Sequence, residues 1–145
     1  EVTRGMNAAL QEKQIALELS LNADNPVISA DKLHITNVVY NLLDNAIKYS
    51  DRKTEIIVGA GLKNDNLILS VNDSGYGISE EHMPRLFERF YRIDKGRSRE
   101  EGGTGLGLAI VKHIVNAMNG IIEVDSVPGK GTGFTIKIPQ NGTIS

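Results

Sequence analysis

The sequence predicts a two-layer α/β sandwich of the α+β type, with one mixed, mostly antiparallel sheet of about five strands backed by three helices. Five short segments are interpreted as strands, and the first of them alternates apolar and smaller or polar residues, the period of a strand with one buried face. They are residues 14–21, 55–62, 66–72, 122–126 and 134–138. Polar or glycine-rich turns at 63–66 and 128–131 join two pairs of these segments, and strands joined by hairpins pair antiparallel.

Three longer segments are interpreted as the helices that cover one face of this sheet. The first occupies residues 4–14, and the second is capped by Asp31 and runs to about Ser50. The third occupies residues 106–118, where apolar residues recur every four positions, with Ile110 in the stripe and Val111 and Val115 alongside it. A shorter helix is predicted from a cap at Ser79 to about Arg89.

Length and composition favour one domain and exclude several classes of function. The chain has 145 residues, 40% of them hydrophobic, which is enough for a real core. A net charge of −2 gives no sign of nucleic-acid binding or direct membrane contact, and the absence of cysteine excludes disulfides and thiolate metal sites. Because the chain begins without Met and inside a predicted helix, we expect an excised domain. We divide it into residues 1–13 (the end of an upstream linker or helix), 14–139 (the domain) and 140–145 (a tail).

One face of the second helix carries side chains suited to a ligand. At about 100° per residue, Asn41, Asn45, Lys48 and Tyr49 share this face, and apolar residues fill the opposite one. We expect no acidic partner four residues away, which argues against an ion-paired surface. Two carboxamide oxygens one turn apart can share Mg²⁺, and Lys48 can meet a phosphate. Considered alone, the face is equally compatible with an asparagine-rich surface.

Two glycine-containing motifs follow strands or turns. Asp73-Ser-Gly-Tyr-Gly-Ile78 places a carboxylate at a strand end, where it can accept a hydrogen bond from an exocyclic amine, while the glycines let the backbone approach a flat ring. Considered alone, it is more often an ordinary tight turn. Gly129-Lys-Gly-Thr-Gly-Phe134 is by itself best explained as a hairpin turn.

A third motif, Gly103-Thr-Gly-Leu-Gly-Leu108, opens the last helix. Exposed amides at the positive end of a helix form a phosphate site, which gives these glycines a reason to be there. A dinucleotide fold is the rival interpretation, but the spacing is not that of its fingerprint and no glycine-rich turn precedes the sheet. A Walker loop is excluded because no Gly-Lys-Ser/Thr follows.

Taken in order, these motifs and the segment Phe87-Glu-Arg-Phe-Tyr-Arg92 resemble the catalytic, ATP-binding domain of sensor histidine kinases. The resemblance covers about residues 14–139. That family belongs with the gyrase, heat-shock chaperone and mismatch-repair ATPases, whose shared Bergerat-type sandwich binds ATP in a pocket roofed by a flexible lid. The resemblance implies a lid at about residues 88–103, anchored near its start by Phe87 and Phe90.

The resemblance implies that one group of positions holds Mg²⁺ and the phosphates. Asn41 and Asn45 match the magnesium and phosphate residues, Lys48 matches a phosphate contact, and Asn41 and Lys48 are the residues expected to act in catalysis. The glycine box would cradle the triphosphate, and its members are Gly103, Thr104, Gly105, Leu106, Gly107 and Leu108. From the lid, Arg92 or Arg97 would close onto the triphosphate.

A second group of positions matches the adenine site. Asp73 resembles the carboxylate that accepts a hydrogen bond from the adenine amine. Thr132 resembles the hydroxyl that helps to orient this carboxylate, and Tyr49 resembles a residue that packs against the adenine ring. Three residues of the loop lie beside Asp73, namely Gly75, Gly77 and Ile78. Ser74 departs from the family, which usually has Asn there, and we expect only backbone geometry to depend on it.

Asn41 bears on the reaction, because the hydrolysing relatives carry Glu there as a general base and an amide cannot take a proton at neutral pH. The resemblance therefore implies transfer of the γ-phosphoryl group to a histidine. Asp44 is either a substitute base or a structural hydrogen-bonding residue, and the second interpretation is favoured. The chain's own histidines do not match the acceptor motif and are interpreted as surface or packing residues; they are His34, His82 and His113.

The expected partners follow from that reaction. The acceptor is expected in a dimerisation and phosphoacceptor domain upstream of Glu1, with a response regulator as an indirect partner. We expect a cytoplasmic domain whose parent is a membrane-bound sensor. Two alternatives stay open at this point: a stand-alone ATPase of the gyrase type, and a nucleotide-sensing module without transfer activity.

Overall fold

A computed structural model of the chain describes residues 10–11, 14–21, 32–48, 50, 53–91 and 106–139. Five strands form one sheet in this part of the chain. They are β1 (Ala16–Leu21), β2 (Glu55–Lys63), β3 (Asn66–Asp73), β4 (Ile121–Val127) and β5 (Gly131–Pro139). The described helices are α1 (Lys32–Lys48), α2 (Gly107–Ala117) and a short 3₁₀ helix (Glu80–Arg85).

The strand order in the sheet is β1-β2-β3-β5-β4. β1 pairs parallel with β2, while β2–β3, β3–β5 and β5–β4 are antiparallel. The parallel pair is the one with α1 between its strands in the chain, because a parallel connection needs a crossover. The prediction of a mixed, mostly antiparallel sheet in an α/β sandwich is confirmed.

The core lies between the helices and one face of the sheet. Every second residue of β3 and β5 is buried, as the period of a strand requires. The buried face of α1 is the apolar face that the sequence predicts: Val38, Leu42, Leu43, Ala46 and Ile47. In α2, Val111, Ile114 and Val115 are buried, but Ile110 is 41% exposed. The prediction for Ile110 is therefore wrong, because the stripe is centred on Val111 and Val115.

Local turn chemistry sets most of the element ends. Asn64 and Asp65 both have positive φ, at 52° and 62°, so the predicted hairpin closes with a primed turn that matches the twist of the strands. α2 ends as predicted, since Asn119 has a φ of 59° and the Gly120 amide donates to the Val115 carbonyl at 2.9 Å.

Other predicted ends differ from the structure or lie outside it. Ser79 precedes the 3₁₀ helix but its side chain forms no capping hydrogen bond, so the predicted cap is wrong. Instead, its carbonyl accepts the His82 amide at 3.0 Å. The cap at Asp31 and most of the predicted helix 4–14 lie outside the described residues. No helix among the described residues is long and apolar enough to cross a membrane.

We expect Leu42→Ala to lower the free energy of unfolding by about 2–5 kcal/mol, because it leaves a cavity between α1 and the sheet. Leu42 is 1% exposed, whereas Leu33 on the same helix is 69% exposed. Leu33→Ala is the matched control and should change the stability by less than about 0.5 kcal/mol. Urea unfolding measures both, and equal losses would contradict the placement of the core.

Candidate functional site

The register of the sheet aligns three polar side chains in one row at its end. Ser126 of β4 lies opposite Thr132 of β5, and Thr132 lies opposite Asp73 of β3. Residues paired across neighbouring strands project from the same face. This face carries the core, because the next row inwards is apolar and contains Val124, Phe134 and Val71. The polar row therefore lies just beyond the last apolar row, on the helix-covered side.

The Asp73 carboxylate is held by two backbone donors. Its Oδ1 accepts the Gly75 amide at 2.9 Å and the Thr132 amide at 3.3 Å. No other described residue donates a hydrogen bond to it, which leaves Oδ2 to accept from a ligand. Burial raises the pKa of the Asp73 carboxyl above its ordinary value of 3.8, and the two amide donors only partly offset this effect.

The loop after β3 packs against the β4–β5 hairpin, and two glycines permit this close approach. Gly77 has a φ of 78°, and a Cβ there would lie 2.2 Å from the Val127 carbonyl oxygen. Gly131 has a φ of 139°, and its Cβ would lie 2.0 Å from the Asp73 carbonyl oxygen. Ile78 is buried outside the main core, beside this loop, where its side chain can form part of an apolar wall.

Ser74 secures the start of this loop to β2. Its Oγ accepts the Glu55 amide at 3.0 Å, and its own amide donates to the Glu55 carbonyl at 3.2 Å. The serine therefore holds the backbone of the loop, which is the only role expected where the family usually has Asn.

Asn41 occupies the contact between α1 and the start of α2. Its Nδ2 donates to the Asn37 carbonyl at 2.8 Å, so its Oδ1 is fixed as the outward acceptor. A Cβ on Gly107 would lie 3.2 Å from this oxygen. A side chain at position 107 would therefore push against Asn41, which gives a steric reason for glycine there.

The start of α2 offers hydrogen-bond donors beside that acceptor. The first described hydrogen bond of α2 joins the Ile110 amide to the Leu106 carbonyl at 3.0 Å. The amides of Gly107, Leu108 and Ala109 come before it, in the turn where a helix offers its amides no carbonyl partner of its own. The Leu106 side chain provides no cap. The positive end of a helix and an amide oxygen are thus side by side, a pairing that suits an anion carrying a hard cation.

Lys48 forms an ion pair with Asp44, Nζ to Oδ2, at 2.8 Å. The expectation that this face has no acidic partner four residues away is therefore wrong, since Asp44 is such a partner. The pair supports the interpretation of Asp44 as a structural residue. Helical pairs at this spacing contribute only about 0.3–0.5 kcal/mol, so Lys48 can exchange Asp44 for a phosphate at little cost.

The residues present fit a magnesium ion. The Oδ1 of Asn41 is fixed as an acceptor, and the carboxamide of Asn45, one turn later, forms no hydrogen bond with another described residue. Both side chains are half-buried. Mg²⁺ commonly takes one or two protein oxygens together with phosphates and water. No cluster of three His, Cys, Asp or Glu residues that could hold a metal ion occurs in the described ranges.

The structure brings some of the predicted site residues together and leaves others undescribed. Asp73, Gly75, Gly77, Ile78 and Thr132 form one cluster, and the Asn41 side chain meets Gly107, which Leu106 and Leu108 flank. Asn45 and Lys48 lie on the same helix as Asn41, and six further candidates lie outside the described residues: Tyr49, Arg92, Arg97, Gly103, Thr104 and Gly105. The sequence analysis missed Ser126. Ser126 and Thr132 lie the same number of residues before and after Gly129, the centre of the turn. This spacing predicts that they pair across the hairpin and is the signal that would have revealed Ser126.

Leu86 and Phe87 anchor the segment that precedes residues 92–105. Leu86 is buried, and the Phe87 ring packs edge-on against Phe134 with centroids 6.4 Å apart. Phe90 is 70% exposed, with a φ of 66°. The prediction that Phe90 is an anchor is therefore wrong, and buried Leu86 serves in its place. The predicted lid falls mostly on residues outside the described ranges.

Comparison with known proteins gives the family. The family model "Histidine kinase-, DNA gyrase B-, and HSP90-like ATPase" matches residues 30–142. Sensor histidine kinase YkoH of Bacillus subtilis is 44% identical over 135 residues, which cover 92% of this chain and 29% of YkoH.

Two solved structures have the same fold. Full-length ShkA in complex with AMPPNP matches with a TM-score of 0.82 and 28% identity, covering 96% of this chain and 28% of ShkA. The nucleotide-free catalytic domain of histidine kinase ThkA matches with a TM-score of 0.83 and 25% identity, covering 96% of this chain and 88% of that domain.

The chain belongs to the histidine kinase-, DNA gyrase B- and HSP90-like ATPase family. Within it, the chain is a catalytic ATP-binding domain of the sensor histidine kinase type, as the motifs predict. It spans less than a third of the length of YkoH.

We expect Asp73→Asn to become more stable relative to the wild type as the pH rises from about 3 to 7. The folded state binds the Asp73 proton more tightly than the unfolded chain, whose carboxyl titrates at its ordinary value of 3.8. As the pH rises and Asp73 ionises, the folded wild type therefore loses free energy of unfolding. Asp73→Asn loses none from this position, because its amide stays neutral. Urea unfolding of both proteins across this range measures the difference, and a difference that shrinks with rising pH would contradict the assignment.

Proposed function

We propose that this chain binds Mg-ATP and positions the γ-phosphoryl group for transfer to a histidine of a dimerisation and phosphoacceptor domain. The reaction is that of an ATP-dependent protein-histidine kinase in two-component signalling. Membership of the ATP-binding domains of sensor histidine kinases supports this proposal.

The observation that carries the proposal is the fixed Asn41 carboxamide. Its nitrogen is committed to the Asn37 carbonyl, and an amide has no basic atom with which to deprotonate water at neutral pH. Asp44, the one carboxylate on α1, lies three residues from Asn41 and therefore about 60° away from the face that Asn41 shares. Among the described residues of α1, this side of the site can therefore bind and orient a triphosphate but has no base placed to activate water, and phosphoryl transfer depends mainly on positioning and charge stabilisation.

The base would lie at the polar end of the sheet. The free Oδ2 of Asp73 would accept the 6-amino group of adenine, and buried Ile78 would provide apolar contact with the ring. The triphosphate would run towards the start of α2, where the backbone amides donate. Lys48 would exchange Asp44 for a phosphate oxygen.

Asn41 and Asn45 are the residues that would hold Mg²⁺. When bound, the ion supplies neutralisation of the charge on the phosphate oxygens. The two carboxamide oxygens that this chain provides are uncharged ligands. The positive charge of the ion would therefore be neutralised by the triphosphate and not by the protein.

The partners are proposed from the relatives. YkoH is a much longer sensor kinase, which supports a linked phosphoacceptor domain and, indirectly, a response regulator. A cytoplasmic position in a membrane-bound sensor is proposed on the same basis. The net charge of −2 argues against nucleic acid and against direct membrane contact by these residues.

The proposal is tested by incubating the full-length parent with ATP labelled at the γ-phosphate. We expect acid-labile, base-stable label on the protein, the behaviour of phosphohistidine. The isolated chain should bind ATP and ADP but release phosphate very slowly. Rapid phosphate release by the isolated chain, without labelling of the parent, would contradict transfer and support an ATPase of the gyrase type.

We expect Asp73→Asn to weaken ATP binding about tenfold or more, because a hydrogen bond to a charged acceptor contributes about 1.5–3 kcal/mol. Calorimetric titration of ATP and GTP into both proteins measures this effect. GTP presents an oxygen where ATP has the amine, so the wild type should prefer ATP. Asp125→Asn on the exposed edge strand is the matched control and should leave ATP binding unchanged. Equal competition by GTP in the wild type would contradict the role of Asp73.

We expect Asn45→Ala to reduce the gain in ATP affinity that Mg²⁺ provides, because one carboxamide oxygen is lost from the cation site. Titrations of ATP with Mg²⁺ and with EDTA separate this effect from loss of base binding, and adenosine affinity should not change. Asn116→Ala, an exposed asparagine on α2, is the matched control. An unchanged dependence on Mg²⁺ in Asn45→Ala would remove the proposed role.

A further inference from the structure

Ser126 is the centre of a hydrogen-bond network that the proposed function does not use. The Ile78 amide lies 2.7 Å from its Oγ, the Gly131 carbonyl oxygen 3.0 Å and the Thr132 Oγ1 2.9 Å. One half-buried hydroxyl therefore joins the loop after β3, the turn of the β4–β5 hairpin and the polar row.

The directions of these hydrogen bonds follow from the chemistry of the partners. A hydroxyl has one proton to donate and two lone pairs. The Ile78 amide can only donate, and the Gly131 carbonyl can only accept. Ser126 therefore donates its hydroxyl proton to the Gly131 carbonyl. All three hydrogen bonds form together only if the Thr132 hydroxyl donates to the Ser126 Oγ.

The consequence is that Thr132 has no proton left for a ligand. Any further hydrogen bond that its Oγ1 forms must be one that it accepts. Thr132 is 8% exposed, its amide donates to Oδ1 of Asp73, and its side chain projects from the same face of the sheet as that of Asp73, its partner in the register. Both side chains of the row next to the base are thus acceptors.

We infer that Ser126 is a positioning residue that fixes Thr132 as an acceptor and thereby sets the selectivity of the site for a base with a hydrogen-bond donor at its 6-position. This inference rests on the proposed binding of ATP through Asp73. At the 6-position, a 6-amino purine presents a donor to these two oxygens, whereas a 6-oxo purine presents an acceptor and would face both of them. Without the Ser126 hydroxyl, Thr132 can rotate and donate its proton, which removes part of the discrimination against the oxo group.

The test compares ATP and GTP affinities of the wild type, Ser126→Ala and Ser126→Thr by calorimetry. We expect Ser126→Ala to lower the ratio of ATP to GTP affinity about tenfold, the effect of one neutral hydrogen bond gained or lost. Ser126→Thr keeps the hydroxyl and should restore most of the ratio. Ser70→Ala, the same change on β3 at a position that projects from the opposite face of the sheet, is the matched control and should not change it.

A purely structural role would lower stability, or weaken both nucleotides equally, and leave the ratio unchanged; that result overturns the inference. If Ser126→Ala does not fold, Thr132→Val removes the same interaction from the other side, and an unchanged ratio in that variant is equally decisive against it. In the double variant, the two changes should not add, because Ser126 acts through Thr132. A wild type that binds neither nucleotide would refute the proposed function itself, whereas a selective wild type with an unchanged Ser126→Ala ratio refutes only the role of Ser126.

Discussion

The polar row of Asp73, Thr132 and Ser126, where we propose that the base binds, depends on the register between β3, β5 and β4. That register places Asp73, Thr132 and Ser126 in one row and makes the adjacent row apolar. Because the side chains of a strand alternate between faces, a slip of β5 by one residue along β3 would place Thr132 on the opposite face of the sheet from Asp73. The slip would also move Phe134 out of the core, so the hydrophobic core enforces the geometry of the polar row.

The proposed phosphate end of the site, at Asn41 and the start of α2, depends on a helix contact. Asn41 is fixed from α1 by the Asn37 carbonyl and meets α2 at Gly107, the residue where α2 begins. The packing that brings Val111 and Val115 onto the core therefore also places the free amides of α2 beside a carboxamide oxygen. The packing of the helices on the sheet therefore determines the geometry at both ends of the site. α1 also covers β3, the strand that ends at Asp73.

Sequence alone predicted the elements whose cause is local. The hairpin at Asn64 and Asp65, the end of α2 and the two faces of α1 all follow from turn chemistry or helical period. Ser126 was missed because its role appears only when strands are paired. Phe90 was wrongly predicted to be a buried anchor, because an apolar side chain in the sequence does not reveal the direction in which a turn projects it. The Asp44–Lys48 pair was overlooked, although its spacing of four residues is visible in the sequence.

The position of β4 and β5 in the chain has a consequence for synthesis on the ribosome. Asn41, Gly107 and Asp73 are all made before residues 126–132, and Asp73 receives one of its two donors from Thr132. The carboxylate is thus incompletely held until the C-terminal hairpin docks along β3. A nascent chain that ends at α2 already contains Asn41 and Gly107 of the proposed phosphate end and still lacks Ser126 and Thr132 of the polar row. The order of synthesis therefore completes the proposed nucleotide site only after the β4–β5 hairpin has formed.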